Sequence, residues 1–329
     1  MLLPGQQILY NISDQVPIRR RRFLRSLSII LTAAVGTSRT MSTHNNSANA
    51  PQTFDFSDNT QVNFELHGRG ARTLVMLHGF GASLETWRDV EPALAEHFKL
   101  YLIDLKGHGL SSRPRDNHYS IENQAEIVGS FILKKQLRNV VLVGHSYGGA
   151  VALMTYLKLR DQAAVDPVTA LILLDAAAYP QTFPFFISGL RNPLFTTLVL
   201  PFVPAHTRAS HTLRRLFFDP KKVGALRIER YARFYTLPGA SYALIECARQ
   251  VVPSDAAHFI QRFPSITTPT LIIWGQNDPV IALAMARRLQ ADIRGSVLRV
   301  IPQCGHIPHE EKPADAARYI ISFLEPKES

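Results

Sequence analysis

Cysteine is scarce in this chain: 329 residues hold two, Cys247 and Cys304. Two thiols cannot build a disulfide framework. They pair only if the fold brings their Cα atoms within about 7 Å, and both are expected to be free. Long apolar runs are lacking near the N-terminus too. The stretch Ser26 to Gly36 is only mildly apolar, far short of the about 20 residues a membrane-spanning helix needs. No two histidines stand at zinc-ligand spacing on one helix, so a metal site has no support. Neither an internal repeat nor a low-complexity tract is evident. The charge also lacks the even spread of a nucleic-acid-binding surface. The formal balance is +10, yet residues 1–50 carry six arginines against Asp14, and residues 181–262 carry eleven basic against four acidic side chains. The remainder is slightly acidic. The basic character therefore belongs to a leader and one insertion, where it suits attraction of anionic substrates or transient contact with a lipid surface. A solvated helical face explains it as well. Oligomeric state leaves no mark in the sequence.

What is present is ordinary for a soluble globular protein with a sizeable core: 46% hydrophobic and 19% charged residues. The leader is the unusual part. Residues 19–25 read Arg-Arg-Arg-Arg-Phe-Leu-Arg and precede the mildly apolar run, in the order of a basic n-region and a signal h-region. Arg20 to Arg25 resembles the twin-arginine export signal of bacteria, with Ala48-Asn49-Ala50 as the cleavage site, and implies an exported protein. The competing reading starts translation at Met41 and leaves the protein cytoplasmic. Residues 1–52 are assigned to leader and polar, disordered linker on either reading.

From Thr53 the pattern changes. Thr53–Phe56 and Gln61–His67 alternate in polarity as edge strands do. Short Val/Ile/Leu runs follow at Thr73–Leu77, Leu100–Asp104, Val140–Gly144, Ala170–Asp175, Thr270–Trp274 and Val297–Ile301, as in parallel strands buried on both faces. Helical spacing separates them, over Ser83–Leu94, Ile121–Gln136, Ala150–Leu159, Ile281–Leu289 and Pro313–Leu324. The alternation predicts an α/β fold with a doubly wound, mostly parallel sheet. About 90 residues without a strand separate Asp175 from Thr270, too many for a loop. They read as an inserted helical cap over residues 180–265, with the sheet domain divided into residues 53–179 and 266–329.

Chemistry concentrates at the ends of these strands. Gly144-His145-Ser146-Tyr147-Gly148-Gly149 follows a strand and opens a helix, the context a Gly-x-Ser-x-Gly nucleophile elbow requires. The serine sits on a sharp turn, and glycines at 144 and 148 give the two backbones room. On this motif, and over about Thr53 to Leu324, the chain resembles the α/β-hydrolase superfamily of serine hydrolases. The resemblance implies an oxyanion hole from the amides of Phe80, in His78-Gly79-Phe80-Gly81, and of Tyr147. It makes the turn from Asp104 to Ser111 structural, with Asp104 bonding backbone amides. It places the catalytic base at His306, in Gly-His-Ile-Pro-His-Glu-Glu-Lys-Pro, ahead of its neighbour His309. It puts the acid at Asp278, in Trp-Gly-Gln-Asn-Asp-Pro, with Asp175 as the alternative one strand earlier. His78, His108 and His145 are read as loop packing.

The resemblance also implies a reaction. Members that open epoxides or displace halide carry aspartate at the elbow, whereas Ser146 implies acyl transfer through an acyl-enzyme. Hydrolysis of a carboxylic ester, esterase- or lipase-like and without a cofactor, is expected. Two alternatives stand beside it: carbon–carbon bond hydrolysis of a vinylogous diketone, and a non-catalytic small-molecule receptor. The substrate is expected to be a small apolar molecule. The cap opens with Phe183, Phe185, Phe186, Leu194, Phe195, Leu198, Leu200 and Phe202, and Phe185, Phe195 and Phe202 are the candidate pocket wall for an acyl chain or ring.

Overall fold

A computed structural model describes residues 51–325, apart from Asp58 and residues 163–165. The arginine-rich stretch, the cleavage site and Met41 lie outside the described residues. The strands are β1 (Gln52–Ser57), β2 (Thr60–His67), β3 (Thr73–Leu77), β4 (Lys99–Ile103), β5 (Val140–His145), β6 (Val168–Leu174), β7 (Thr270–Gly275) and β8 (Val297–Ile301). The helices are α1 (Glu91–Ala95), α2 (Ile121–Lys134), α3 (Tyr147–Gln162), α4 (Phe185–Arg191), α5 (Pro193–Leu198), α6 (Ala205–Leu216), α7 (Ala225–Tyr235), α8 (Ala240–Arg249), α9 (Ala256–Gln261), α10 (Leu283–Asp292), α11 (Pro308–Glu311) and α12 (Pro313–Leu324). One eight-stranded sheet runs β1-β2-β4-β3-β5-β6-β7-β8. The pairs β1–β2 and β2–β4 are antiparallel and the rest are parallel.

Two cores lie against the two faces of this sheet, and the period-2 alternation of the strands divides the residues between them. Val75, Leu77, Leu142, Leu171 and Leu173 pack with α2 and α3. Leu74, Met76, Val141, Val143 and Ile172 pack with α1 and α12. Apolar residues on both faces are why these strands read as continuous runs.

Where periodicity predicts one helix over Ser83–Leu94, the chain forms a 3₁₀ turn, Leu84–Trp87, and then α1. Two side-chain effects divide it. The Asp104 carboxylate accepts the Leu84 N–H at 2.7 Å, and Pro92 in the first turn of α1 has no N–H with which to continue an earlier helix.

Parallel pairing aligns strand ends: Leu77 lies beside Ile103 in β4 and beside Gly144 in β5. The loops holding Phe80, Asp104, Ser146, Asp175, Asp278 and His306 thus leave one edge of the sheet, the carboxyl edge where open α/β sheets place ligands. Helices α4 to α9 fill the predicted cap interval.

Candidate active site

Ser146 occupies the turn between β5 and α3 with φ 51°, a left-handed conformation that costs a residue bearing a Cβ of order 1–3 kcal/mol. The surroundings hold it there. Ser146 N–H donates to Leu174 O at 2.9 Å, and Ser146 O accepts from Gly149 and Ala177 at 2.9 Å. A Cβ on Gly144 would lie 2.3 Å from Gly148 O, and one on Gly148 would lie 2.3 Å from Leu77 O. Both glycines are therefore dictated by backbone crowding. Tyr147 is the first residue of α3, where an amide has no intrahelical acceptor. Phe80 lies in the turn after β3, and its N–H donates to no backbone carbonyl among the described residues.

His306 lies between Ser146 and Asp278. Its Nε2 is 2.9 Å from Ser146 Oγ and its Nδ1 is 2.8 Å from Asp278 Oδ2. Asp278 Oδ1 accepts the N–H groups of Val280 (2.7 Å) and Ile281 (3.0 Å). Burial pushes the Asp278 pKa up, but the His306 ring and the two amides outweigh it and hold the carboxyl below its ordinary range. An ionised Asp278 fixes the proton on Nδ1 and leaves the Nε2 lone pair facing the serine hydroxyl.

Asp175, the alternative acid, ends β6 behind this chain of bonds. It is fully buried, Oδ1 accepts Gly275 N–H at 3.0 Å, and Oδ2 has no partner among the described residues. Burial and the neighbouring Asp278 push its pKa well above the usual range, so a retained proton spares the site a second buried negative charge. Ligand-type atoms of Asp175, Asp278 and His306 lie within 4.8 Å of one another, but both oxygens of Asp278 are already committed to the ring and the amides.

Burial disfavours charge on three histidines packed near the site, His145, His78 and His309. His145 Nε2 donates to His306 O at 2.7 Å, bracing the loop that carries the ring. Burial, with His306 nearby, lowers its pKa to about 3. His78 Nδ1 donates to Gly79 O at 2.8 Å, and its Nε2 accepts Leu105 N–H at 3.0 Å. His309 sits against Trp87, with ring centroids 4.3 Å apart, and contacts Thr86 Oγ1 at 2.9 Å. Asp104 accepts from Leu84, from Leu110 at 2.8 Å and from Asn63 Nδ2 at 2.8 Å, the structural role expected of it.

The sequence profile of the family described as alpha/beta hydrolase fold matches residues 72–313. The chain is a hydrolase of the α/β-hydrolase fold family. An uncharacterized hydrolase of Bacillus subtilis is 27% identical over 256 residues, covering 78% of this chain and 90% of the relative. The 2-hydroxy-6-oxo-2,4-heptadienoate hydrolase of Pseudomonas putida is 27% identical over 272 residues, covering 80% and 93% of the two chains. Among solved structures, an esterase from Exiguobacterium antarcticum shares the fold with a TM-score of 0.70 at 22% identity, over 84% of this chain and 100% of that one.

In this α/β hydrolase the cap covers Ser146 with a narrow apolar chamber of about 90 Å³. Its lining includes Ser146, His306 and Phe80 from the sheet domain and Phe183, Phe186 and Leu216 from the cap. The three candidate wall residues lie elsewhere. Phe185 and Phe195 line a second chamber, of about 590 Å³, and Phe202 lines neither chamber and is 82% exposed. Phe185 and Phe186 adjoin on α4, where successive side chains point about 100° apart, so only one of them can face Ser146.

Polar contacts that the sequence did not disclose join cap to site. His306 N–H donates to Leu216 O at 2.8 Å. The buried Glu311 carboxylate accepts the N–H groups of Gly305 (2.7 Å), Phe218 (3.0 Å) and Asp219 (2.8 Å). Glu311, two residues before Pro313, thus clamps the cap to the His306 loop. Much of the cap's positive charge is taken up the same way: Arg227 and Arg230 both bond Asp89, Arg227 also bonds Glu310, Arg233 bonds Glu85, and Arg262 bonds Asp161.

Proposed function

We propose that this hydrolase cleaves a carboxylic ester of an apolar acyl or aromatic substrate through an acyl-enzyme on Ser146. The observation that carries the reading is the unbroken line of hydrogen bonds from Asp278 through His306 to Ser146, opening on an apolar chamber. In the proposed cycle Ser146 Oγ bonds to the ester carbonyl carbon as its proton passes to His306 Nε2. The carbonyl electron pair moves onto oxygen, which the amides of Phe80 and Tyr147 receive. Each such donor is worth about 2.7–4 kcal/mol in the transition state. The carbon–oxygen bond then breaks, and the alcohol leaves with the proton from His306. Water repeats the sequence, releasing the acid and restoring Ser146.

The likeness to the Pseudomonas putida hydrolase favours a second reading, hydrolysis of a carbon–carbon bond in a vinylogous diketone by the same residues. A panel of nitrophenyl esters of graded chain length, with one such diketone included, separates the two. The ester reading expects turnover of the esters above that of the diketone, and loss of nearly all of it in Ser146→Ala. Preference for the diketone would transfer the assignment to the second reading.

A further inference from the structure

The chamber of about 590 Å³ lies between the cap and the Phe80–Gly81 turn, beside the one that holds Ser146. It is of the size small-molecule sites have, about 300–1,000 Å³. Its lining is mostly apolar, with Phe185, Phe195, Leu200 and Leu244 among the contributors, and no carboxylate lines it. One lining residue carries a fixed charge, Arg208 on α6. The other cap arginines that reach the sheet domain find carboxylates there. Arg208 has no acidic partner among the described residues, and its Nε is buried without a hydrogen bond. Its guanidinium carbon lies over the Tyr235 ring, 5.4 Å from the centroid. Tyr235 OH donates to Gly81 O at 2.9 Å, next to Phe80. The Arg208 side chain makes no hydrogen bond or ion pair among the described residues, and the planar fork of arginine suits a carboxylate.

Two rings stand between the chambers. Phe80 and Phe186 line both, and they stack with centroids 6.1 Å apart and planes at 29°. A rotation of Phe186 would give an acyl chain on Ser146 a path from the small chamber into the large one.

We propose that the second chamber is an acyl subsite for a chain ending in a carboxylate, with Arg208 as the counter-ion of that carboxylate. The substrate class is then a half-ester of an α,ω-dicarboxylic acid. This rests on the ester-hydrolase reading and narrows it.

The test compares monomethyl esters of octanedioic, decanedioic, dodecanedioic and tetradecanedioic acids with methyl esters of fatty acids of the same lengths. At the best-fitting length the half-ester should exceed its neutral counterpart in kcat/KM by about 10- to 100-fold, the value of one charge-assisted bond. That ratio should fall toward one in Arg208→Gln and only part of the way in Arg208→Lys. A wild-type ratio near one at every length would overturn the proposal, as would a ratio that Arg208→Gln leaves intact. Calorimetry of the same half-esters on Ser146→Ala separates this from the fate of the ester reading. Binding tighter than that of the neutral esters, and weakened by Arg208→Gln, supports the subsite even if no ester is turned over. No such difference rejects it even if short esters are good substrates.

Discussion

Ser146, His306 and Asp278 each lie a few residues beyond the end of a strand, inside a short motif. That is why all three were legible in the sequence as candidates, and the fold brings them within hydrogen-bond reach. The place of Asp175 was not legible, because it depends on β6 pairing with β7 across the whole cap insertion. Pairing puts the two carboxyls side by side, and their environments push them apart: amides and the His306 ring favour charge on Asp278, while burial favours a proton on Asp175. The two should therefore respond differently to the same change. Asp278→Asn is expected to lower kcat by about 10³- to 10⁴-fold, through loss of the correct tautomer and of charge stabilisation. Asp175→Asn replaces a carboxyl whose charged form burial disfavours by a neutral amide of the same shape, and should cost about tenfold or less. Steady-state kinetics of the two variants checks this, and an Asp175→Asn enzyme damaged more than Asp278→Asn would reverse the assignment of the acid.

Strands were the elements most readable from sequence, because Val/Ile/Leu runs buried on two faces leave little ambiguity. Less readable were the elements held by distant polar groups: the 3₁₀ turn at Leu84, and the cap helices, whose orientation is set by side chains from the other end of the chain. Glu311 is one of these. Glu311→Ala would orphan three amides, two from the cap and one from the His306 loop, at a cost of about 3–5 kcal/mol. A thermal melt should show the loss together with lower kcat, and Glu311→Gln, which keeps one acceptor oxygen, should fall between. An unchanged melting temperature in Glu311→Ala would dismiss the clamp. At the sheet's antiparallel edge, His67 of β2 bridges Glu65 (2.9 Å) and Glu91 of α1 (3.0 Å). Burial works against the imidazolium, but the two carboxylates prevail and raise its pKa to about 9. A raised pKa means the folded protein binds this proton more tightly than the unfolded chain does. The contribution is fully present below the unfolded value of about 6.5 and is lost as pH rises through about 9. In urea titrations His67→Gln should be less stable than wild type by roughly 1–3 kcal/mol at pH ~6, and the gap should narrow above pH ~9. A gap that does not change with pH would mean that His67 acts by packing alone.

At the scale of the whole molecule, the sheet domain carries the hydrogen-bonded residues on one edge, and the cap supplies the enclosure over them. The sequence separated those two parts by the missing strand pattern alone. It could not tell which cap phenylalanines face Ser146, since Phe183 and Phe186 differ from Phe185 and Phe195 only in direction. Nor could it tell how far the cap's basic surplus is matched by the sheet domain's Asp89, Glu85, Asp161 and Glu310. A transient membrane-surface role for the cap would have to rest on the cations that remain. The proposed reaction depends above all on Ser146 acting as a nucleophile. Treatment with a fluorophosphonate, followed by peptide mass analysis, reads this directly, because attack by Ser146 Oγ on phosphorus expels fluoride and leaves a stable adduct. One adduct per chain is expected, on the peptide carrying Ser146, formed in step with loss of hydrolase activity. It should be absent from Ser146→Ala and formed far more slowly in His306→Ala. Full inactivation with Ser146 unmodified, or a Ser146→Ala protein that retains turnover, would contradict the proposed reaction.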